Sequence, residues 1–430
     1  MLDEAQQRFV DCITARIEEV TTQGVHPHLK PYLTPEELLF CLKAIRQRML
    51  DVDYEHLMRL EPGEVVAFKK TDLLTSGKGV FYLPELSRSS AVIRDEQGEY
   101  QLVIDTKSKL AGGVAGTPNL FFGKDSKGKD CWNVTNPVPE RWANLVYPIP
   151  TLRAEKDLNI TQKNSDFLAH PNIHRTFLGH LYQKRPIRPF ETPINNPEKK
   201  RSLYSKKAIG DLQQVLEARE KQRKPLSVAE KNDIAWSFLE GLAHIHRKNR
   251  VHEDIKPENL LIYEQNERYY TKINDFMTCR TIGIGICAVY TIGYESPEVF
   301  WMNQHMDTHI GHALKAYDTS YGRRCAKKIN LSDVLQLDKT LQNSHPVHDC
   351  WAAGITLMTL YTDIASECQA VTVEMLLENL DDALWGDTPD DIKRVIANFL
   401  NPDIHVRLRL LAEDAVTMHV QPKSQVCLTV

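Results

Sequence analysis

No two cysteines in this chain are spaced Cys-x-x-Cys. The nine that occur, Cys12, Cys41, Cys131, Cys279, Cys287, Cys325, Cys350, Cys368 and Cys427, lie far apart. Neither a disulfide framework nor a thiolate zinc site is encoded, and the pattern fits a reducing compartment. No run reaches the roughly 18 apolar residues of a membrane span. Met1 to Val10 carries Asp3, Glu4, Gln6, Gln7 and Arg8 where a signal peptide would need its apolar stretch. The expectation is a soluble cytoplasmic protein with no transmembrane segment. An excess of one charge is also missing: 53 Lys plus Arg against 57 Asp plus Glu leave a net −4. A dedicated nucleic-acid coat protein is thereby excluded, and any basic site must be local. There is no internal repeat and no long low-complexity segment. What is present is 430 residues of ordinary globular composition, 42% hydrophobic and 26% charged, enough chain for about three domains or lobes.

Residues 1 to about 60 read as amphipathic helices. Phe9, Ile13, Ile17 and Val20 recur at helical spacing, and Thr34-Pro35-Glu36-Glu37 opens a second helix with Thr34 as its cap. From about 62 to 147 short apolar runs alternate with Gly and Asp turns, as at Asp95-Glu96-Gln97-Gly98 and Asp125-Ser126-Lys127-Gly128. This is the pattern of an antiparallel sheet. Thr151 to Phe167 reads as one helix. Residues 184–207 read as a basic loop, because Pro186, Pro189, Pro193 and Pro197 forbid regular structure. The chain beyond is mostly helical: Ser227-Val228-Ala229-Glu230 is a capping box, and Ile234, Phe238, Leu239, Leu242 and Ile245 form one apolar face. Sheet first and helices after predicts an α+β protein of two lobes with a cleft between them.

The chemistry concentrates in Val251-His252-Glu253-Asp254-Ile255-Lys256-Pro257-Glu258-Asn259. An acid, a cation two residues on and an amide five residues on follow a helix and precede an apolar strand. Phosphoryl transfer to a hydroxyl needs such a set: the acid accepts the hydroxyl proton, the Lys neutralises the moving phosphoryl group and the amide oxygen holds a magnesium ion. Asp275, in Lys272-Ile273-Asn274-Asp275-Phe276-Met277, supplies the carboxylate that this oxygen-seeking cation requires.

These stretches resemble the catalytic loop and metal-binding motif of eukaryotic-type Ser/Thr protein kinases. Further resemblances follow in the family's order. Thr291-Ile292-Gly293-Tyr294-Glu295-Ser296-Pro297-Glu298 resembles the end of an activation segment. Asp349-Cys350-Trp351-Ala352-Ala353-Gly354 resembles the helix that braces the catalytic loop, and Arg407 the late Arg that pairs with the activation-segment Glu, here Glu298. The resemblance implies a two-lobed kinase fold: an antiparallel-sheet N-lobe, a mainly helical C-lobe and a helical N-terminal extension. The expected divisions are 1–105 for the extension, 106–207 for a divergent N-lobe with a basic insertion at 184–207, and 208–430 for the C-lobe with an insertion at 299–348. It implies ATP and Mg2+ as cofactors and a protein as substrate, with Asp254 and Lys256 catalytic, and Asn259 and Asp275 on the metal.

The small lobe departs from the family. No Lys stands at the aligned strand position, which holds Thr135, and Lys107 and Lys129 are the alternatives. Gly112-Gly113-Val114-Ala115-Gly116 offers Gly113 and Gly116 to phosphate without the family's spacing, and Glu155 is the mobile-helix Glu by position. Glu253 replaces the Arg that in many members reads a phosphorylated loop, and Met277 replaces a Gly. Both imply a kinase not switched by loop phosphorylation.

Three functions are consistent with these residues: an active Ser/Thr protein kinase, a pseudokinase scaffold, or a kinase of a small molecule or lipid. The intact Asp254, Lys256, Asn259 and Asp275 favour the first. A eukaryotic-type core in unfamiliar flanks also resembles a bacterial effector secreted into a host cytosol. Finally, 184–207 carries eight basic residues against Glu191 and Glu198, and 323–328 carries Arg323, Arg324, Lys327 and Lys328. These two clusters are candidate sites for a polyanionic regulator such as an inositol phosphate, a phosphoinositide or RNA.

Overall fold

Two capped helices open the structure, a computed structural model. It describes residues 2–25, 30, 34–50, 65–68, 73–76, 79–82, 90–94, 100–109, 117–123, 141–148, 163–164, 167–175, 177–181, 200–206, 208–284, 291, 293–299, 321–326, 343–362 and 370–420. Helix α1 (Glu4–Gln23) starts at Asp3 with a reciprocal capping box to Gln6 and stops at Gly24, whose φ of 78° suits glycine. Helix α2 (Pro35–Leu50) starts at Thr34, whose hydroxyl accepts the Glu37 N–H at 3.2 Å while the Glu37 carboxylate accepts the Thr34 N–H. Phe9, Val10, Ile13 and Val20 bury against Leu38, Cys41, Leu42 and Ile45, and Val92, Tyr100 and Leu102 of the sheet complete this core.

The sheet has nine strands: β1 (Val65–Phe68), β2 (Leu73–Ser76), β3 (Gly79–Tyr82), β4 (Ser90–Arg94), β5 (Tyr100–Lys109), β6 (Thr117–Gly123), β7 (Arg141–Pro148), β8 (Phe177–Leu181) and β9 (Lys200–Lys206). Their order is β3-β2-β1-β4-β5-β6-β7-β9-β8, with every neighbouring pair antiparallel. Edge strand β8 returns against β1, β2 and β3, so the sheet curls back on itself.

Two expectations change here. The basic stretch does not stay a loop to its end: the last of its prolines is Pro197, and from Lys200 the backbone pairs on both sides, with β7 and with β8. The division expected at 105/106 falls inside β5, which pairs with both β4 and β6. The chain separates instead into one compact unit of Met1–Gln162 with Arg175–Lys207 and another of Lys163–His174 with Ala208–Val430.

The second unit begins with β10 (Gly210–Asp211), α3 (Leu212–Lys221) and α4 (Val228–Arg247). Ser227 and Glu230 form the expected capping box, and Ile234, Phe238, Leu239, Leu242 and Ile245 are all buried. Gly241 is required by packing, because a Cβ there would stand 2.9 Å from the Asn172 carbonyl. Then come β11 (Arg250–Val251), β12 (Leu260–Gln265), β13 (Arg268–Ile273) and β14 (Arg280–Thr281). The β12–β13 hairpin turns through Asn266 and Glu267, both at positive φ, as a two-residue turn that matches strand twist demands.

Beyond lie α5 (Tyr321–Ala326), α6 (Pro346–Tyr361), α7 (Ala370–Glu378), α8 (Asp390–Phe399), α9 (Ile404–Arg407) and α10 (Ala412–Val420). Helix α6 is apolar almost all round and runs through the core of this unit, burying Trp351, Ile355, Leu357 and Met358. Among the described residues no helix is long and apolar enough to cross a membrane.

Candidate active site

The stretch from His252 to Lys256, followed by a single 3-10 turn at Pro257–Asn259, belongs to no helix or strand, so its backbone must be held from outside. Asp349, on α6 and 1% exposed, does this. Its carboxylate accepts the His252 N–H at 2.7 Å and the Glu253 N–H at 2.9 Å, and its Oδ2 lies 3.0 Å from His246 Nε2 of α4. Burial alone would raise the Asp349 pKa, but the bonds and charges from His246 and His252 outweigh it and hold the carboxyl below its ordinary value.

The His252 ring is fully buried. Its Nδ1 accepts the Asp254 N–H at 3.3 Å, so Nε2 carries the proton donated to the Asn274 carbonyl at 2.8 Å. The Phe276 ring meets it edge-on, with centroids 5.3 Å apart. One imidazole thus joins the loop to the stretch carrying Asp275. Glu253 and Asp275 both sit at positive φ, 65° and 63°, a conformation that costs a non-glycine residue roughly 1 kcal/mol or more and persists only where contacts impose it.

Asp254 stands at the centre of a four-residue cluster. Its Oδ1 accepts the Thr291 hydroxyl at 2.7 Å, and its Oδ2 lies 2.9 Å from Lys256 Nζ and accepts Asn259 Nδ2 at 2.9 Å. Lys256 Nζ also donates to Thr291 Oγ1 at 2.7 Å, and Asn259 Nδ2 to the Asp254 carbonyl at 2.7 Å. Burial pushes the Asp254 pKa up, while the Thr291 hydroxyl and Lys256 ammonium pull harder and leave it below the ordinary carboxylate value. Asp254 is therefore ionised at neutral pH and oriented by three donors.

Asp275 behaves oppositely. Its pKa is raised, first by burial and further by the negative charge of Asp254, with His252 opposing. A carboxylate in that position gains from a cation. Asn259 spends its amide donor on Asp254, leaving its amide oxygen as the atom able to ligate. One carboxylate and one amide oxygen suit magnesium, which takes few protein ligands and keeps waters and phosphate oxygens for the rest. Among the described residues no cluster of three or more His, Cys, Asp or Glu forms a self-sufficient metal site.

Glu298 and Arg407 form a buried ion pair, at 2% and 0% exposure, and the Arg407 guanidinium lies 5.1 Å from the Trp351 ring. A cavity of about 50 Å³ opens at Asp254, lined also by Glu253, Thr291, Tyr294, Glu295 and His348.

The structure thus brings Asp254, Lys256 and Asn259 together and sets Asp275 within electrostatic reach of Asp254. Gly113, Gly116, Glu155, Lys129 and Thr135 lie outside the described residues, and Lys107 lies on β5. Of the basic clusters, Arg323 and Arg324 lie on α5 and Lys200, Arg201 and Lys206 on β9. Thr291 was missed as a site residue. Its signal was a hydroxyl opening the Thr291–Glu298 motif, but its partner lies 37 residues upstream.

Residues 190–312 match the family model described as the protein kinase domain. Calcium/calmodulin-dependent protein kinase type 1 of Caenorhabditis briggsae is 43% identical over 70 residues, 16% of this chain and 20% of that protein. The liver/testis phosphorylase b kinase gamma catalytic chain of Bos taurus is 26% identical over 194 residues, 43% of this chain and 38% of that one. The human form of that chain is 25% identical over the same length. The alignments thus span between a fifth and two fifths of these relatives. The chain contains protein kinase sequence and is a divergent, distant relative of Ser/Thr protein kinases.

Proposed function

We propose that this chain is a Ser/Thr protein kinase of two-lobed fold, transferring the terminal phosphoryl group of ATP to a hydroxyl of a protein substrate. The observation that carries the reading is the cluster Asp254–Lys256–Thr291–Asn259. Its geometry serves transfer and has no evident structural purpose, since it concentrates polar groups where apolar packing would be more stable.

In this reading the substrate hydroxyl enters the cavity at Asp254 and gives its proton to the Asp254 carboxylate as its oxygen bonds to phosphorus. The bond from phosphorus to the oxygen of ADP breaks in the same displacement, and the proton later passes to solvent. Lys256 offsets charge on the transferred group while its bond to Thr291 keeps the ammonium from drifting. Asn259 and Asp275 would hold magnesium, which when bound neutralises charge on the ATP phosphates. No loop phosphorylation is needed, because Glu253 offers no cation to a phosphate. The basic stretches 184–207 and 323–328 remain, in the same reading, sites for a polyanionic regulator. Inositol polyphosphates at physiological salt would raise the melting temperature if they bind there.

The test is magnesium-dependent transfer from radiolabelled ATP to protein, peptide and lipid acceptors, with and without prior phosphatase treatment. Wild type labels protein, and phosphatase leaves the rate unchanged. Asp254→Ala keeps the circular dichroism of the native fold and loses on the order of 10²- to 10⁴-fold in rate. Labelling of lipid alone would overturn the choice of substrate, and nucleotide binding with no transfer to any acceptor would leave a scaffold.

A further inference from the structure

Glu253 lies one residue before the proposed base and takes no part in the cluster around it. Its conformation is nonetheless expensive: φ is 65°, outside any hairpin turn, and its side chain is only 9% exposed. Its contacts explain the expense. The backbone N–H is fixed by Asp349, and carboxylate Oε2 lies 3.2 Å from Arg280 Nε. Oε1 accepts the hydroxyl of Ser344.

These partners come from two other stretches. Arg280 lies on β14, where it pairs with Val251 immediately upstream of the loop. Ser344 lies two residues before α6, and its carbonyl accepts the Gly283 N–H at 2.8 Å. One carboxylate therefore ties together the catalytic loop, the stretch 280–284 and the segment 343–345 entering α6. The stretch 280–284 lies in the sequence between Asp275 and Thr291, whose hydroxyl bonds Asp254.

We infer that Glu253 is a positioning residue, whose ion pair with Arg280 and hydrogen bond with Ser344 form a built-in clamp on 280–284. The clamp is a permanent carboxylate–guanidinium pair that depends on no modification. Its charge also opposes adding a phosphate nearby. The inference rests on the phosphoryl-transfer reading for its consequence, but the clamp itself has a readout that needs no catalysis.

The readout is amide hydrogen exchange of residues 281–284 in the full chain, measured beside kcat and the KM for ATP. Glu253→Gln keeps the shape and the capacity to bond Ser344, while Arg280→Met keeps the length; both remove the charge pair. Each is expected to speed exchange at 281–284 with no change in α4, and to lower kcat on the order of tenfold with the KM for ATP unchanged. Arg280→Lys restores charge and should recover most of both. Wild-type exchange at 281–284 in Glu253→Gln and Arg280→Met overturns the clamp. Equal damage from Arg280→Lys and Arg280→Met also overturns it, because shape rather than charge would then be responsible. Faster exchange in a protein whose wild type transfers no phosphate supports the clamp and counts against the kinase reading alone.

Discussion

In the unit built from 163–174 and 208–430, polar side chains go into the interior and hold one another there: Asp349 with His246, Glu298 with Arg407, His252 with the Asn274 carbonyl. In the unit built from 1–162 and 175–207, the described interior is Phe9, Ile13, Leu38, Leu42, Val92 and Leu102, with Gln6 and Arg16 the buried polar residues among those described. Both units bury apolar surface, and among the described residues the second unit carries the more extensive buried polar network, which is costly to desolvate. Such a network fixes backbone in conformations that packing alone would not choose, the left-handed Glu253 and Asp275 being two of them. The lesson is that the second unit spends part of its stability on geometry.

The comparison is tested most severely at Asp349. Replacing it with Ala leaves the His252 and Glu253 N–H groups and the His246 ring without their acceptor in a fully buried place. The expected loss is about 3–5 kcal/mol of unfolding free energy, measured by denaturant titration. A loss below about 1 kcal/mol, within the range of a single exposed hydrogen bond, would show that the loop holds itself and that the network is incidental.

A smaller effect separates the units by acid. His174 is fully buried with its Nδ1 3.1 Å from the Tyr263 hydroxyl, and burial, aided by the Lys272 charge, lowers its pKa from 6.5 to about 3. His170 falls to about 4, through burial and the charges of His244, Arg247 and Lys272. For a base depressed in the fold, the unfolded chain binds the proton first. Stability is complete above 6.5 and declines as pH falls from there towards the folded value. His174 alone should remove about 2 kcal/mol by pH 5, at 1.36 kcal/mol per pH unit. The difference in melting temperature between wild type and His174→Gln should therefore shift in favour of the variant on going from pH 7.5 to 5. A constant difference would mean that His174 is not neutral in the fold.

How much of this was legible depended on distance along the chain. Asp254, Lys256 and Asn259 could be read because they stand within six residues of one another, so their spacing is visible locally even though Asp349 holds the loop. Asp349 and the Glu298–Arg407 pair were legible only through resemblance, since nothing local in a helix with Asp at its first turn announces a loop anchor. Thr291, Arg280 and Ser344 escaped because a hydroxyl or a cation gets its role from a partner dozens of residues away. The alternation of β9 was hidden by the prolines and basic residues before it, and the strand order could not be read, because period-two patterning gives a strand its faces but not its neighbours. The helices α2 and α4 were legible to their caps, since capping is settled within four residues, whereas α1 was legible from its apolar spacing and not from its Asp3 cap.

The smallest predicted effect lies in the first unit. Tyr100 is buried where β5 meets α1. Its hydroxyl takes a long 3.4 Å bond from Gln6 Nε2, its ring lies 5.8 Å from that of Phe9, and the Arg94 guanidinium stands 5.4 Å from its centroid. Tyr100→Phe removes the hydroxyl and keeps the ring, so both ring contacts survive. The long hydrogen bond to Gln6 is lost, and Gln6 keeps its capping bond to the Asp3 N–H at 2.9 Å. The cost should be about 0.5 kcal/mol, at the low end for a buried bond, and phosphoryl transfer should keep its wild-type kcat. The reason is that an interior held by apolar contact tolerates loss of a polar atom, whereas the network around Asp349 has no redundant acceptor. A cost above about 2 kcal/mol, beyond what one such bond supplies, would show that the first unit also depends on buried polar geometry. A fall in kcat at unchanged stability would show that it takes part in the transfer, and in either case the contrast between the units would be gone.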